Sequence, residues 1–149
     1  MKTISAEEAF AACPPSSHPV LCRAISSDRT ELILLPWFTW LNTKRQPMLS
    51  FSLERTSPVC SDLKRGDTFY LAFLPDEIAL NYREGYRTAE KGVLKRLPES
   101  VELMQPEEMP LQVPAETRYL FRCGLSHAYN YPFSKTRIFN CDLSEACEL

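Results

Sequence analysis

Six short apolar runs, each ended within seven residues by proline, glycine or a polar turn, limit what this chain can fold into: 19–25, 31–35, 48–53, 68–73, 118–123 and 136–141. Segments this short, rich in branched and aromatic residues and evenly punctuated, read as strands. They predict a mainly β chain: a six-stranded antiparallel Greek-key barrel with short flanking helices at 58–65 and 76–83. A length of 149 residues predicts one domain spanning 1–149.

Local signals place the elements. Ser5, followed three residues later by Glu8, is a capping box that opens a short helix, and Pro14 and Pro15 end it. Residues 19–25 and 31–35 form a hairpin across the polar turn 26–30; the second run is nearly all apolar, which predicts a central strand. Pro36 removes an amide donor and stops the ladder. An aromatic-polar loop holding both tryptophans, Trp37 and Trp40, then leads to the strand 48–53. There Met48, Ser50 and Ser52 share one face, and Leu49, Phe51 and Leu53 share the core face. Ser57-Pro58 is a helix start, because serine accepts first-turn amide bonds and proline lacks the N–H that would need a partner. Gly66 is placed to end that helix. The charges of 83–96 read as a solvated face, and the proline-rich acidic stretch 98–114 as a loop with at most a short strand at 101–104. A further loop, 124–132, carries His127, Tyr129 and Tyr131.

Two tryptophans in a loop call for an explanation, since loops usually spend small polar residues. Either they line a surface on which a flat ligand lies, or they belong to a core or an interface. Free amides at the Ser57 helix start, with Arg55 beside them, would suit a phosphate; alone, an arginine at such a place is more often a solvated charge.

The order Trp37-Phe-Thr-Trp-Leu-Asn-Thr43, Pro47-Met48, a Ser-Leu strand, and Glu54-Arg-Thr-Ser57 resembles the flavin reductase-like family, whose members have an FMN-binding split barrel. The resemblance runs from Pro19 to about Lys91 and rests on order and spacing. It implies an FMN-binding oxidoreductase that moves electrons from NAD(P)H or another donor through flavin, in a homodimer whose cofactor cleft lies at the interface. Carried onto this sequence, Pro36, Trp37, Phe38 and Thr39 would lie against the flavin ring. Asn42 and Thr43 would help anchor its tail, and Arg55 and Ser57 would take the phosphate. Thr88 and Lys91 are the nearest matches to a family segment near the flavin. The chain departs from the pattern in three places. Trp37, Phe38 and Trp40 are bulkier than the small residues common there; Lys44, Arg45 and Gln46 replace the first proline of a P-P-M turn; and the turn 26–30 has no glycine. The alternative is a non-catalytic split-barrel dimer whose pocket these aromatics occlude. Related split barrels also hold haem or oxidise pyridoxamine phosphate, but nothing here marks a haem ligand at a convincing position, His127 being the only candidate.

Other classes have less support. A formal charge of -2 does not suggest a nucleic-acid binder. No run of eighteen apolar residues is present, and the start of the chain does not read as a signal peptide, so a cytoplasmic protein is expected. The six cysteines show no CxxC spacing, so no metal site is expected. GxGxxG and P-loop motifs are absent, and no serine has an evident base, which leaves no identifiable catalytic residue. A flavin enzyme needs little acid–base machinery of its own, because the cofactor carries the electron chemistry.

Overall fold

The computed structural model describes residues 1–26, 29–42, 44–56, 60, 62–87 and 101–149. Its elements are β1 (Lys2–Ile4), α1 (Ala6–Ala12), β2 (Pro19–Ser26), β3 (Arg29–Leu34), β4 (Phe38–Asn42), β5 (Met48–Glu54), β6 (Thr68–Phe73), α2 (Asp76–Arg87), β7 (Leu103–Met104), β8 (Val113–Pro114), β9 (Tyr119–Asn130) and β10 (Thr136–Glu148). The chain is mainly β, as expected, but with ten strands among the described residues in place of six. Eight belong to one antiparallel sheet, ordered β3-β2-β6-β9-β10-β5-β4 with β1 added to β10. β7 and β8 form a separate ribbon.

The connectivity forces this sheet to curl. β3 and β4 end the seven-strand path, yet only Leu35, Pro36 and Trp37 join them. In a flat sheet, six inter-strand steps would hold those edges about 29 Å apart. The linker, stretched fully, reaches about 14 Å. The two edges are therefore brought round toward each other, and the split of the barrel runs between β3 and β4. Contacts across the interior agree. The Phe38 ring on β4 lies edge-on to Phe73 on β6, with centroids 5.3 Å apart, although three strands separate their backbones in the sheet.

Alternation along each strand fills the interior. Leu49, Phe51 and Leu53 of β5 point inward and are buried, as their period-two pattern predicts. Phe51 stacks on Phe139 of β10 at 5.1 Å and meets Phe69 of β6 at 5.7 Å. Each such ring, fully enclosed, contributes on the order of 1.5–3 kcal/mol. A second cluster covers the outside of β2, β3 and β6: Val20, Cys22, Leu34 and Ala72 pack with Ala79 of α2 and with Met109, Leu111 and Val113. In β2, Leu21 thus enters the inner core while its neighbours Val20 and Cys22 enter the outer one.

This second layer corrects the reading of β3. Its apolar run predicts a central strand, but β3 lies at an edge. It is apolar because both of its faces are buried, Ile33 in the inner core and Leu34 in the outer. The stretch 98–114, read as a loop with at most a short strand at 101–104, holds β7 there and contributes Met109, Leu111 and Val113 to the outer cluster in its described part.

Three further boundaries move. Residues 38–42, read as loop, form β4. The stretch 124–130, read as loop, continues β9, and β10 runs on to Glu148; bulges between Asn140 and Cys141 and between Leu143 and Glu145 break the alternation that would have announced both strands. α2 runs four residues past its expected end. The helix expected at 58–65 falls partly outside the described residues, though Cys60 and Asp62 are helical. The capping box forms as predicted: Ser5 Oγ accepts from the Glu8 amide at 3.1 Å, and Glu8 Oε1 accepts from the Ser5 amide at 3.4 Å. Among the described residues no helix is long and apolar enough to cross a membrane.

Candidate functional site

The candidate site is built on the barrel's split. β4 has a strand partner on its β5 side only, among the described residues, so its outer edge offers main-chain donors and acceptors that no other strand takes. Thr39 lies half-buried on this strand, opposite Ser50. Pro36 is half-buried in the connection, and Trp37 beside it leaves 44% of its surface open. An indole this exposed, next to an unpaired strand edge, is available to lie against a planar ring.

Phe38 and Trp40 sit differently. Both point inward along β4. Phe38 is fully buried, so only its backbone can face a ligand. Trp40 is clamped by the N-terminal helix: its Nε1 donates to the Cys13 carbonyl oxygen at 2.9 Å, Phe10 meets it edge-on at 5.9 Å, and Phe121 lies at 5.6 Å. Of the two readings of the tryptophan pair, Trp40 follows the core one, while Trp37 stays exposed.

Arg55 stands at the end of β5. Its amide donates to the Lys135 carbonyl oxygen and its Nη2 to that of Ser134, both at 2.7 Å, which fixes the guanidinium against the β9–β10 turn. The segment that follows is pinned from below. Cys60 Sγ donates to the Glu54 carbonyl oxygen at 3.0 Å, and Leu63 is buried in the inner core. Asp62 receives Arg23 at 3.4 Å, and Arg23 also holds the buried Glu31 at 3.0 Å. Gly66 ends the segment in the left-handed region, at φ 90°, with its amide donating to the Leu125 carbonyl oxygen at 2.8 Å.

Strand register decides which of these residues can act together. Phe38 pairs with Phe51, and β4 runs antiparallel to β5, so Trp37 and Pro36 lie toward the Arg55 end. Extending that register by one residue sets Trp37 opposite Ser52, three residues and about 10 Å along the strand from Arg55. Asn42 pairs with Met48 at the other end, seven residues and about 24 Å along β5 from Arg55. Its side chain organises the turn into β5 instead: Oδ1 accepts from the Lys44 amide at 3.0 Å and Nδ2 donates to the Gln46 carbonyl oxygen at 3.4 Å. Pro36, Trp37 and Arg55 thus share one end; Thr39, opposite Ser50, lies nearer Asn42, which does not join them. Thr43, Ser57, Thr88 and Lys91 lie outside the described residues.

His127 is on β9 rather than in a loop, exposed and stacked on Tyr129 at 5.7 Å. No three His, Cys, Asp or Glu side chains gather as metal ligands among the described residues. Arg137 escaped the sequence reading. It shares the inward parity of Phe139 and Cys141 in β10, and an arginine on an apolar face was the available signal.

No family model and no curated protein matches the chain. Solved structures do. The NADH:FAD oxidoreductase SgcE6 of Streptomyces globisporus C-1027 superposes with a TM-score of 0.66 at 15% identity, over 96% of this chain and 81% of that one. The flavin reductase of styrene monooxygenase from Pseudomonas putida S12 gives 0.66 at 13% identity, over 95% and 85%. An FMN-binding protein of Thermus thermophilus gives 0.66 at 13% identity, over 90% and 71%. The chain has a flavin reductase-like split-barrel fold. Identities this low speak for the fold alone. The split barrel matches over nearly the whole chain, well beyond the Pro19–Lys91 stretch on which the sequence resemblance rested.

Proposed function

We propose that this split barrel binds FMN along the Pro36–Thr39 edge, with the phosphate at Arg55 and Ser57, and that NAD(P)H or another donor reduces the flavin there. The observation that carries the reading is the placement of an exposed indole, an unpaired strand edge and a fixed guanidinium at one end of the β4–β5 pair, about 10 Å apart along the strand. A ribityl chain bridges such a span. The donor set fits the group: Trp37 offers a face to the ring, the outer edge of β4 offers amides to its polar rim, and Arg55 offers charge-assisted bonds to the phosphate. Bound flavin supplies the redox chemistry; the protein binds and orients it. The structural neighbours that are flavin reductases support the same reading.

The proposal includes a single-domain homodimer with the cleft at the interface. Trp37, Leu41, Tyr129, Tyr131 and Phe133 are exposed apolar side chains that a second subunit would cover.

A second reading, a split barrel without flavin, is favoured by Phe38 and Trp40, which fill space rather than line it. One experiment separates the two. Purified protein is incubated with excess FMN or FAD, desalted and scanned in the visible range, then assayed for NADH and NADPH oxidation. Retained flavin absorbance with pyridine-nucleotide oxidation supports the reductase. No retained flavin and no quenching of tryptophan fluorescence supports the flavin-free barrel.

A further inference from the structure

A cavity of about 210 Å³ opens where the Cys60–Arg65 segment meets β9 and β10. Cys60, Lys64, Arg65, Ser126, His127 and Arg137 line it, and among the described residues no carboxylate does. Neither Arg55 nor the Pro36–Thr39 edge contributes to its wall.

Arg137 is one of the three cations in the cavity wall. Its Nη1 donates to Asn130 Oδ1 at 2.9 Å, and its guanidinium carbon lies 5.8 Å from the centre of the Phe139 ring. Both partners are neutral, so they hold the group in place without compensating its charge. Its Nε is enclosed and has no hydrogen-bond partner among the described residues. An enclosed donor left unsatisfied is costly, more so on a charged group. Lys64, Arg65 and Arg137 form no ion pair among the described residues. The Cys60 thiol does not compensate them either: burial pushes it up to about 11, against the opposing pull of Arg137, so it stays neutral. The backbone adds a shaped wall. The β9–β10 register steps from Asn140 opposite His127 to Cys141 opposite Leu125, which leaves Ser126 as the extra residue of a bulge beside the cavity. Bulges of this kind re-aim side chains next to sites.

We propose that this cavity binds a phosphate group, the dianionic end of a phosphomonoester or inorganic phosphate. Charge selects phosphate over carboxylate. A phosphomonoester carries about −1.5 to −2 at neutral pH, whereas a carboxylate would leave two of the three cations unanswered. Shape agrees, since a guanidinium meets phosphate through parallel bonds and Ser126 supplies a hydroxyl. The volume equals that of about seven waters, too large for a simple halide and enough for a phosphate with part of its sugar. This proposal does not rest on the flavin reading: it involves other residues and stands whether or not flavin binds.

Calorimetric titration of the full chain at pH 7.5 and fixed ionic strength, with inorganic phosphate, AMP, adenosine and acetate as separate probes, tests it. Phosphate and AMP are expected to bind, and adenosine and acetate not. AMP tighter than phosphate assigns the site to nucleotides; equal affinities assign it to the phosphate group alone. Arg137→Gln should weaken phosphate at least tenfold, and by more than Arg55→Ala does. Should Arg137→Gln fail to fold, the double variant Lys64→Ala/Arg65→Ala, altered only at exposed positions, should show the same loss. The proposal is overturned if wild-type protein binds no phosphate, if acetate matches phosphate, or if the loss follows Arg55 rather than Arg137 or the lysine–arginine pair.

Discussion

Arg55 and Ser134 stand seventy-nine positions apart in the chain, yet the Arg55 guanidinium bonds the Ser134 carbonyl oxygen at 2.7 Å. Together with the bond from the Arg55 amide to Lys135, this locks the end of β5 to the tip of the β9–β10 hairpin. One Nη is thereby committed, and the arginine is oriented before any ligand arrives. Preorganisation of this sort reduces the ordering cost of binding.

If the phosphate of FMN sits at Arg55, Arg55→Ala should weaken FMN roughly ten- to a hundredfold, since hydrogen bonds to charged groups contribute about 1.5–3 kcal/mol. Riboflavin, which lacks the phosphate, should lose little. Arg55→Lys should recover only part of the FMN affinity, because an ammonium has no planar fork. Fluorescence quenching with both flavins reads the contrast, and equal losses for the two would assign Arg55 a purely structural role.

The two tryptophans should separate cleanly. Trp37→Ala should weaken FMN and riboflavin alike, by roughly two- to tenfold for a lost ring contact of about 0.5–1.5 kcal/mol, with little change in stability. Trp40→Phe forfeits the bond to Cys13 and should cost about 1 kcal/mol of stability, with flavin affinity unchanged. Urea denaturation beside flavin titration distinguishes them; a flavin defect confined to Trp40→Phe would contradict the assignment.

Gly66→Ala should destabilise the chain by about 1 kcal/mol or more, purely through the backbone. The cost is conformational because an added Cβ meets nothing within 4 Å, while φ is 90°. Gly66→Asn should cost less, since asparagine tolerates that region. Thermal melts of the two variants give the order.

Stability should fall at alkaline pH. Burial raises the Cys60 thiol from its ordinary 9.0 to about 11 and the Cys13 thiol to about 12, with Asp76 adding to the latter. The folded chain therefore holds these protons longer than the unfolded one. The stability they contribute is complete below pH 9 and is lost as the pH climbs through 11 and 12. Urea midpoints at pH 8, 9.5 and 10.5 should decline, and Cys60→Ala should decline less steeply; parallel slopes would remove Cys60 from the effect.

Where the sequence was legible, the signal was local. The Ser5–Glu8 box, the Asp76 helix start and the Leu49, Phe51, Leu53 face each depend on a few neighbouring residues, and each appears in the structure. Where it was not, the deciding contact was distant in the chain. Trp40 is half-buried against the core because Cys13 and Phe10 of the N-terminal segment reach it. β3 is apolar because Met109, Leu111 and Val113 help cover the outer layer it shares. The site shows the same division: Trp37 and Arg55 stood out by type, but their common end of the sheet, and Asn42 at the other, follow only from the β4–β5 register.

The pairing of β1 with β10 bears on how the chain is made. Lys2 lies opposite Glu148 and Ile4 opposite Ala146, so β1 awaits a partner strand that is made long after it. β5 must wait as well, because its neighbour β10 is also synthesised late. During synthesis both strands expose unmatched backbone, which is the state in which strands stick to other chains. Closure of the sheet depends on contacts of very long sequence separation, the kind that slow folding. A nascent chain arrested before residue 136 should therefore depend on chaperones, while release of the complete β9–β10 hairpin should let the barrel shut.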